Sequence, residues 1–372
     1  MIDLSLLPDG GMAWLEASGP GSHLVVSTRV RLARNLQGHR FTTRNEPAER
    51  DAILGDIERA AAATRGLGRA VRFRVDRLEL LDRQLLHERH LVSRELAAPE
   101  PGGKVRPGGG VLVQDQASVM VNEEDHLRLQ ALKSGFALDA AWELVATLDS
   151  ELGQRLAFAF HPEFGYLTSC PTNVGTGLRA SVLVHLPGLV LTKEINKILQ
   201  GLTQVGLTFR GLYGEGSEVV GNLFQLSNQT TLGNSERELL DRLAKLVRQV
   251  LEYEERARQI LLRDATAILE DKVWRAYGLL RYARTLSFEE TMNLLSGVRL
   301  GVGLGLIPNV GMYTLNKLLV FTQPAHLAAA QGRELADPEV PVRRAAYVRR
   351  TLEVEVARHG GASSTSASPP EN

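Results

Sequence analysis

Three polar segments of this 372-residue chain hold the side chains best suited to chemistry. In Asn122-Glu123-Glu124-Asp125-His126, three carboxylates and an imidazole directly follow an apolar run. Adjacent carboxylates repel, so such a run is either a solvated surface or a group held at a strand end to orient a cationic substrate or a metal. Cys170-Pro171-Thr172-Asn173-Val174-Gly175-Thr176-Gly177-Leu178-Arg179 places the single cysteine in a turn, where it is either an inert buried thiol or a partly exposed thiolate. Arg210-Gly211-Leu212-Tyr213-Gly214-Glu215-Gly216 carries three glycines, enough for backbone to approach a ligand closely or simply to turn. The chain has 36 arginines against seven lysines, and the planar arginine fork recognises phosphates and carboxylates bidentately. Genome composition explains that excess equally well.

Elements that could position these groups follow from periodicity. Between His23 and Leu36 apolar and polar residues alternate, the period of a half-buried strand with Arg29 and Arg31 on one face. Val111–Val113 and Ser118–Val121 read as a hairpin around residues 114–116, with a further strand over His126–Ala131. Leu156–Phe160 and Tyr166–Ser169 flank a Pro- and Gly-containing turn, a second hairpin. Strands return at Ala180–His185, Leu207–Arg210 and Leu223–Asn228, while Pro47–Arg65, Asp139–Leu152 and Thr192–Gly201 show helical spacing. Hairpins interrupted by helices, without regular βαβ alternation, predict an α+β fold with a largely antiparallel sheet. Ser235-Glu236-Arg237-Glu238 is a capping box opening a long amphipathic pattern to about Ala283. From about 258 to 358 the text is helical, broken at Gly301–Gly305 and at Pro338 and Pro341. The tail 359–372 is small, polar and Pro-containing, the composition of a disordered end.

Composition narrows the classes. At 372 residues and 44% hydrophobic the chain is long enough for two to three domains of ~150 residues with a sizeable core. Lys+Arg and Asp+Glu are both 43, so no net charge draws it to nucleic acid or an anionic membrane. A lone cysteine excludes a disulfide framework and multi-thiolate zinc, and the N-terminus lacks a signal-peptide pattern. A cytoplasmic protein is expected.

STRVRLARN (27–35), NEEDHLRL (122–129), CPTNVGTGLRAS (170–181) and RGLYGEG (210–216) occur in this order. Together they resemble the four signature segments of the phosphagen (guanidino) kinases. RGLYGEG continuing into SNQTTLGNSE resembles the bacterial protein-arginine kinase (McsB) branch of that family. The resemblance is close over residues 23–257 and looser beyond. It implies a phosphagen-kinase-like sheet flanked by helices, divided as a short lead (1–26), a catalytic domain (27–257), a helical C-terminal domain for dimerisation and regulation (258–358), and the tail.

The resemblance also implies roles. Arginines matching Arg29, Arg31, Arg128, Arg179 and Arg210 clamp the phosphates of ATP, with His90 at the nucleotide. Contacts to ATP extend over Ser27, Thr28 and Val30, over Ala180, Ser181, Val182 and Leu183, and over Gly211, Leu212, Tyr213, Gly214 and Glu215. Glu124 and Glu215 match the carboxylates that orient the acceptor guanidinium, Cys170 matches the cysteine packed against it, and Glu123 serves a supporting or metal-linked role. Several fixed cations suit a charge-rich phosphoryl-transfer transition state. Mg²⁺ is expected with ATP, held by phosphates and water rather than by a protein site. The family's phosphoarginine-binding pattern RDxxRA aligns with Val340-Pro341-Val342-Arg343-Arg344-Ala345, which keeps Arg344 and Ala345 but has Val-Pro for Arg-Asp. Arg344 is thus a candidate phosphoarginine contact, and a helix start at Pro341 is the alternative.

Small-substrate relatives carry a helical domain before the STRVR strand, and only 26 residues precede Ser27 here, so the implied acceptor is an arginine on a protein. A kinase for free arginine or another small guanidino compound is the nearest alternative. A non-catalytic adaptor gripping a repressor or a Clp-type AAA+ ATPase is another, disfavoured because both glutamates and all five arginines are retained. Implied partners are proteins with exposed arginine, a second copy of the chain, a zinc-binding activator, a transcriptional repressor and a Clp ATPase.

Overall fold

Alternation in VVSTRVRLAR builds β1 (Val25–Arg34), which turns Val30, Leu32 and Arg34 to one side and Arg29 and Arg31 to the other. The computed structural model describes residues 2–3, 12–98, 100, 102–212 and 219–360. The remaining strands are β2 (Val71–Arg74), β3 (Gly110–Gln114), β4 (Ala117–Val121), β5 (Leu127–Ser134), β6 (Phe160–His161), β7 (Gly165–Tyr166), β8 (Leu178–His185), β9 (Leu207–Arg210) and β10 (Leu223–Asn228). Eight of them form one sheet in the order β2-β3-β4-β5-β1-β8-β10-β9, and β6 and β7 form a separate hairpin. Pairing is antiparallel from β2 through β8 and between β9 and β10. The predicted α+β class with a largely antiparallel sheet is what forms.

Helices α1 (Pro47–Ala62), α2 (Leu80–Glu88), α3 (Arg94–Ala97), α4 (Leu138–Gly153), α5 (Pro187–Leu191) and α6 (Ile195–Gln204) interrupt the strands. The apolar residues Leu138, Ala141, Val145, Leu148 and Leu152 recur at helical spacing, so α4 lays a buried stripe across β1 and β5. That helix covers the Val30 and Leu32 face. Arg34 on the same face is fully buried, its guanidinium donating to Asp149 Oδ2 at 2.8 Å and to the carbonyls of Ala33 and Thr176, both at 2.9 Å. The opposite face is left to the arginines.

From residue 236 the chain is helical: α7 (Glu236–Asp264), α8 (Thr266–Tyr282), α9 (Phe288–Gly303), α10 (Met312–Phe321), α11 (Pro324–Gln331) and α12 (Glu339–Gly360). The predicted capping box is present, Ser235 N–H donating to Glu238 at 2.7 Å and Glu238 N–H to Ser235 Oγ at 3.3 Å. The amphipathic pattern expected to run to Ala283 is two helices, parted at Ala265, whose ψ of 32° at φ −139° leaves the helical region. Apolar spacing continues across the break, so periodicity does not reveal it. The break expected over Gly301–Gly305 does form, but at its middle, because α9 runs on to Gly303 and is closed by Leu304. A Cβ at Gly301 would meet Val273 at 2.2 Å, so this glycine lets α8 and α9 approach. Helix α12 also extends to Gly360, two residues into the expected tail, whose remainder lies outside the described residues.

The chain divides into two compact units. One gathers the described residues between Met1 and Val184, Asn196 and Glu218, and Phe224 and Glu252; the other gathers His185–Ile195, Val219–Leu223 and those from Tyr253 onward. Among the described residues no helix is long and apolar enough to cross a membrane.

Candidate active site

Register decides what the open face of the sheet presents. Residues directly opposite one another in an antiparallel pair share a face. Arg31 is opposite Arg179 on β8, and Ala33, two residues on along the same face, is opposite Arg128 on β5. On β9, Arg210 is opposite Gln225 of β10, and Gln225 Oε1 accepts a hydrogen bond from Arg29 Nη2 at 3.2 Å. Four strands thereby deliver Arg29, Arg31, Arg128, Arg179 and Arg210 to one cleft of ≈ 260 Å³, which His90, Glu124 and Cys170 also line.

Crowding leaves its mark on these cations. Burial, then Arg179, Arg128 and Arg210, lower the pKa of Arg29 to about 10. Arg31 is pushed well down by burial and by Arg29, Arg128 and Arg179, against the opposing pull of Glu123. Among the described residues, Arg31 Nε is buried without a hydrogen-bond partner. A buried donor left unmatched among like charges is the complement of an anion with several oxygens, and a polyphosphate fits it.

The carboxylates sit in the tight β4–β5 turn. Asn122 takes the left-handed conformation (φ 54°), and its Nδ2 donates to the carbonyls of Arg50 and Gly108 at 2.9 and 2.8 Å. Glu123 is fully buried and accepts from Arg128 Nη1 at 2.8 Å; Glu124, half-buried, pairs with Arg128 Nη2. Burial would lower the Arg128 pKa, but Glu123, Asp125 and Glu124 together hold it above the ordinary value. Burial raises the Glu124 pKa, with Asp125 and Glu123 adding and Arg128 opposing. His126 accepts Leu36 N–H at Nδ1 (3.0 Å), which leaves Nε2 to donate to Arg40 O at 2.9 Å.

Cys170 opens a short 3₁₀ turn over Pro171–Asn173, half-buried, with Sγ 3.0 Å from Thr172 Oγ1. Close approach to β1 requires Gly177: its φ is +65°, and a Cβ there would lie 2.6 Å from Ala33 O. His90 follows α2 at φ 60°, lies edge-on to Trp14 at 5.3 Å, and is kept neutral by burial, by Arg29 and by His87.

Not every expected residue comes to this cleft. Thr28, Val30, Ala180 and Val182 are fully buried on the α4 side, because side chains alternate along β1 and β8. Thr28 Oγ1 is occupied there, donating to Gly135 O at 2.6 Å and accepting Ala137 N–H at 3.0 Å. Ser27, Ser181, Leu183 and Leu212 line a smaller adjoining cavity with Trp14, Arg29, His90 and Gln225. Gly211 is buried at the end of β9, and Tyr213, Gly214 and Glu215 lie outside the described residues. Arg344, in the other unit, is buried, donating to the carbonyls of Thr322 and Leu286 at 2.8 and 2.9 Å. Sequence reasoning missed Trp14, Gln225, Thr172, Asn173 and Arg106, the last donating to the Glu123 carbonyl from the cleft wall. Thr172 and Asn173 stood inside a quoted motif, whereas Trp14, Gln225 and Arg106 stand in no pattern that marks them.

Comparison with known proteins gives the family. Residues 57–257 match the family described as ATP:guanido phosphotransferase, C-terminal catalytic domain, and residues 266–363 match the protein-arginine kinase McsB C-terminal domain. The chain is 45% identical to the protein-arginine kinase of Brevibacillus brevis over 92% of its own length and 95% of that protein. It is 47% identical to the protein-arginine kinase of Symbiobacterium thermophilum (91% and 96% covered) and 42% identical to that of Bacillus subtilis (94% and 96%). Among solved structures it is similar to a lombricine kinase, at TM-score 0.56 and 25% identity over 68% of this chain and 70% of that one. It is also similar to the duplicated taurocyamine kinase of Schistosoma mansoni, at TM-score 0.53 and 28% identity over 68% of this chain and 35% of that one. The family match over residues 57–257, the C-terminal match over 266–363 and relatives of 42–47% identity along nearly the whole chain show that it belongs to the ATP:guanido phosphotransferase family, and within it to the protein-arginine kinases.

Proposed function

We propose that the chain transfers the γ-phosphoryl group of ATP to the guanidinium of arginine residues in proteins. The observation that carries this reading is the convergence of five arginines with Glu124 and Cys170 on one cleft. Arg29, Arg31, Arg128, Arg179 and Arg210 would hold the polyphosphate, and the orphaned Nε of Arg31 would gain an acceptor. An acceptor guanidinium is protonated at neutral pH, so attack through nitrogen needs a carboxylate to localise its charge and take the proton released as the N–P bond forms. Glu124 would do this at the cleft wall, with Glu215 as the second carboxylate and Cys170 packed against the guanidinium plane. Glu123 would hold Arg128 in place. ATP supplies the phosphoryl group, with Mg²⁺ carried on its oxygens.

Finer assignments rest on the family resemblance: a catalytic domain over 27–257, a C-terminal domain over 258–358 that pairs two copies, a phosphoarginine contact at Arg344, a cytoplasmic location, and dealings with a zinc-binding activator, a repressor and a Clp ATPase. The deciding experiment is mass spectrometry of an arginine-rich protein incubated with the chain and Mg·ATP. Acid-labile phosphate on arginine is the expected result. Its absence, with ATP shown to bind, would favour the adaptor reading.

A further inference from the structure

Asp125 lies in the carboxylate turn yet takes no part in the cleft wall, and it is fully buried. Its Oδ1 accepts two hydrogen bonds, from Asn35 Nδ2 at 2.8 Å and from Ser169 N–H at 2.7 Å. Asn35 closes the ring: its Oδ1 accepts His126 N–H at 2.9 Å, and its Nδ2 also donates to Leu167 O at 3.1 Å. Three stretches distant in sequence meet on this carboxylate: the residue after β1, the β4–β5 turn, and the irregular run 167–169 that follows β7 and leads into the cysteine turn. Asp125 is the chain neighbour of Glu124, and Ser169 is the chain neighbour of Cys170. Arg128 Nη2, 3.8 Å from Oδ2, supplies the counter-charge.

We propose that Asp125 is a positioning residue that sets the spacing between the Glu124 carboxylate and the Cys170 thiol, the two groups that would flank the acceptor guanidinium. The inference rests on the proposed function for the identity of the acceptor, but not for the bracket itself. A carboxylate oxygen that accepts two N–H bonds from separate segments fixes both segments at once. Without it, the N–H of half-buried Ser169 loses its acceptor and the cysteine turn loses its tie to the glutamate turn. Displacement of order 1 Å between groups that act together costs ~10²-fold in rate.

Three variants of the full chain test this. Asp125→Ala removes the shared oxygen. Asp125→Asn keeps an oxygen for both donors while removing the charge. Asn35→Ala removes one donor without substituting any side chain that lines the cleft. Three readouts are taken: kcat on a protein substrate, nucleotide Kd, and the rate of Cys170 alkylation by iodoacetamide, which reports on one site because the chain has a single cysteine. The expected pattern is a kcat loss of ~10²-fold in Asp125→Ala, a loss of ~10-fold in Asn35→Ala, and rescue to within ~3-fold of the unaltered chain in Asp125→Asn. Nucleotide Kd stays within ~3-fold throughout, and Cys170 alkylation changes by ~5-fold or more in both alanine variants but not in Asp125→Asn.

An Asp125→Asn variant as impaired as Asp125→Ala would overturn the inference, since charge rather than the shared oxygen would then be what matters. Unchanged thiol reactivity in the alanine variants would overturn it too. If Asp125→Ala does not fold, Asn35→Ala and Asp125→Asn decide by the same readouts. Alkylation is independent of the kinase reaction, so failure of the unaltered chain to phosphorylate arginine would count against the proposed function alone.

Discussion

Arg31 on β1 stands directly across from Arg179 on β8, a register pair of two cations on the cleft face. Cross-strand partners hold their Cβ atoms ~4.5–5.5 Å apart, and like charges so placed destabilise a sheet. Arg29 and Arg128 crowd Arg31 further. The fold tolerates this because the opposite face is anchored under α4, and an anion in the cleft relieves it.

Stability and binding should therefore move in opposite directions at this pair. Replacing Arg31 by Met removes one of the facing charges, so the unliganded protein gains up to ~1 kcal/mol. Nucleotide binding weakens by ~2 kcal/mol because a desolvated charge-assisted contact is lost. Thermal unfolding without nucleotide and a calorimetric ATP titration check the two halves. A lower Tm with unaltered affinity would show the pair to be structural.

The two carboxylates should act on transfer rather than on nucleotide affinity. Glu124→Gln and Glu215→Gln each keep size but lose the charge that orients the guanidinium, so turnover falls by ~10²-fold or more, the scale of a positioned base. ATP affinity should survive in Glu215→Gln. In Glu124→Gln it should hold or rise, since Arg128 is released from one of its partners. Near-normal turnover in either variant would remove that residue from the mechanism.

Dependence on pH follows from the shifted groups. Burial raises the Glu124 pKa, so on acidification its ionised form disappears at a higher pH than for a free glutamate, and kcat/KM should fall there first. Arg29, lowered to about 10, loses its proton while ordinary arginines keep theirs, so nucleotide affinity should drop as pH rises through that value. Bound phosphate favours the cation, so the alkaline limb of kcat should lie above that of kcat/KM. A nucleotide affinity flat through this range would contradict the assignment of Arg29 to the clamp.

Acceptor preference separates the protein-arginine reading from the small-guanidine one. An arginine within a polypeptide brings backbone and neighbouring side chains that supply binding energy away from the reacting nitrogen. We expect kcat/KM on a denatured arginine-rich protein to exceed that on free arginine by ~10²-fold, or ~2.7 kcal/mol in transition-state binding. Equal or better use of free arginine at one ATP concentration would reverse the ranking.

Much of the site was legible because local periodicity is a property of the chain itself. Alternation in STRVR puts Arg29 and Arg31 on one face of any strand they form, and the same alternation sends Thr28 and Val30 to the other. Quoted segments therefore overstate a binding site: of the four residues Ser27 to Val30, the strand's period admits to the cleft side only the odd-numbered ones. The capping box at Ser235 was likewise readable, since its partners stand three residues apart.

Tertiary structure decided the rest, because register and strand order depend on interactions between segments that no local window contains. That Arg31 faces Arg179, that Ala33 faces Arg128, and that Gln225 reaches Arg29 all follow from the order β5-β1-β8-β10-β9. Trp14 joins His90 from a segment without motif, and Asp125 meets Ser169 across 44 positions. The sequence by itself determined which residues are cationic, which are carboxylates and which faces they share within a strand. Only the folded sheet determined which strands are neighbours, and like charges converge on one cleft because burial of the opposite face supplies the free energy that holds them there.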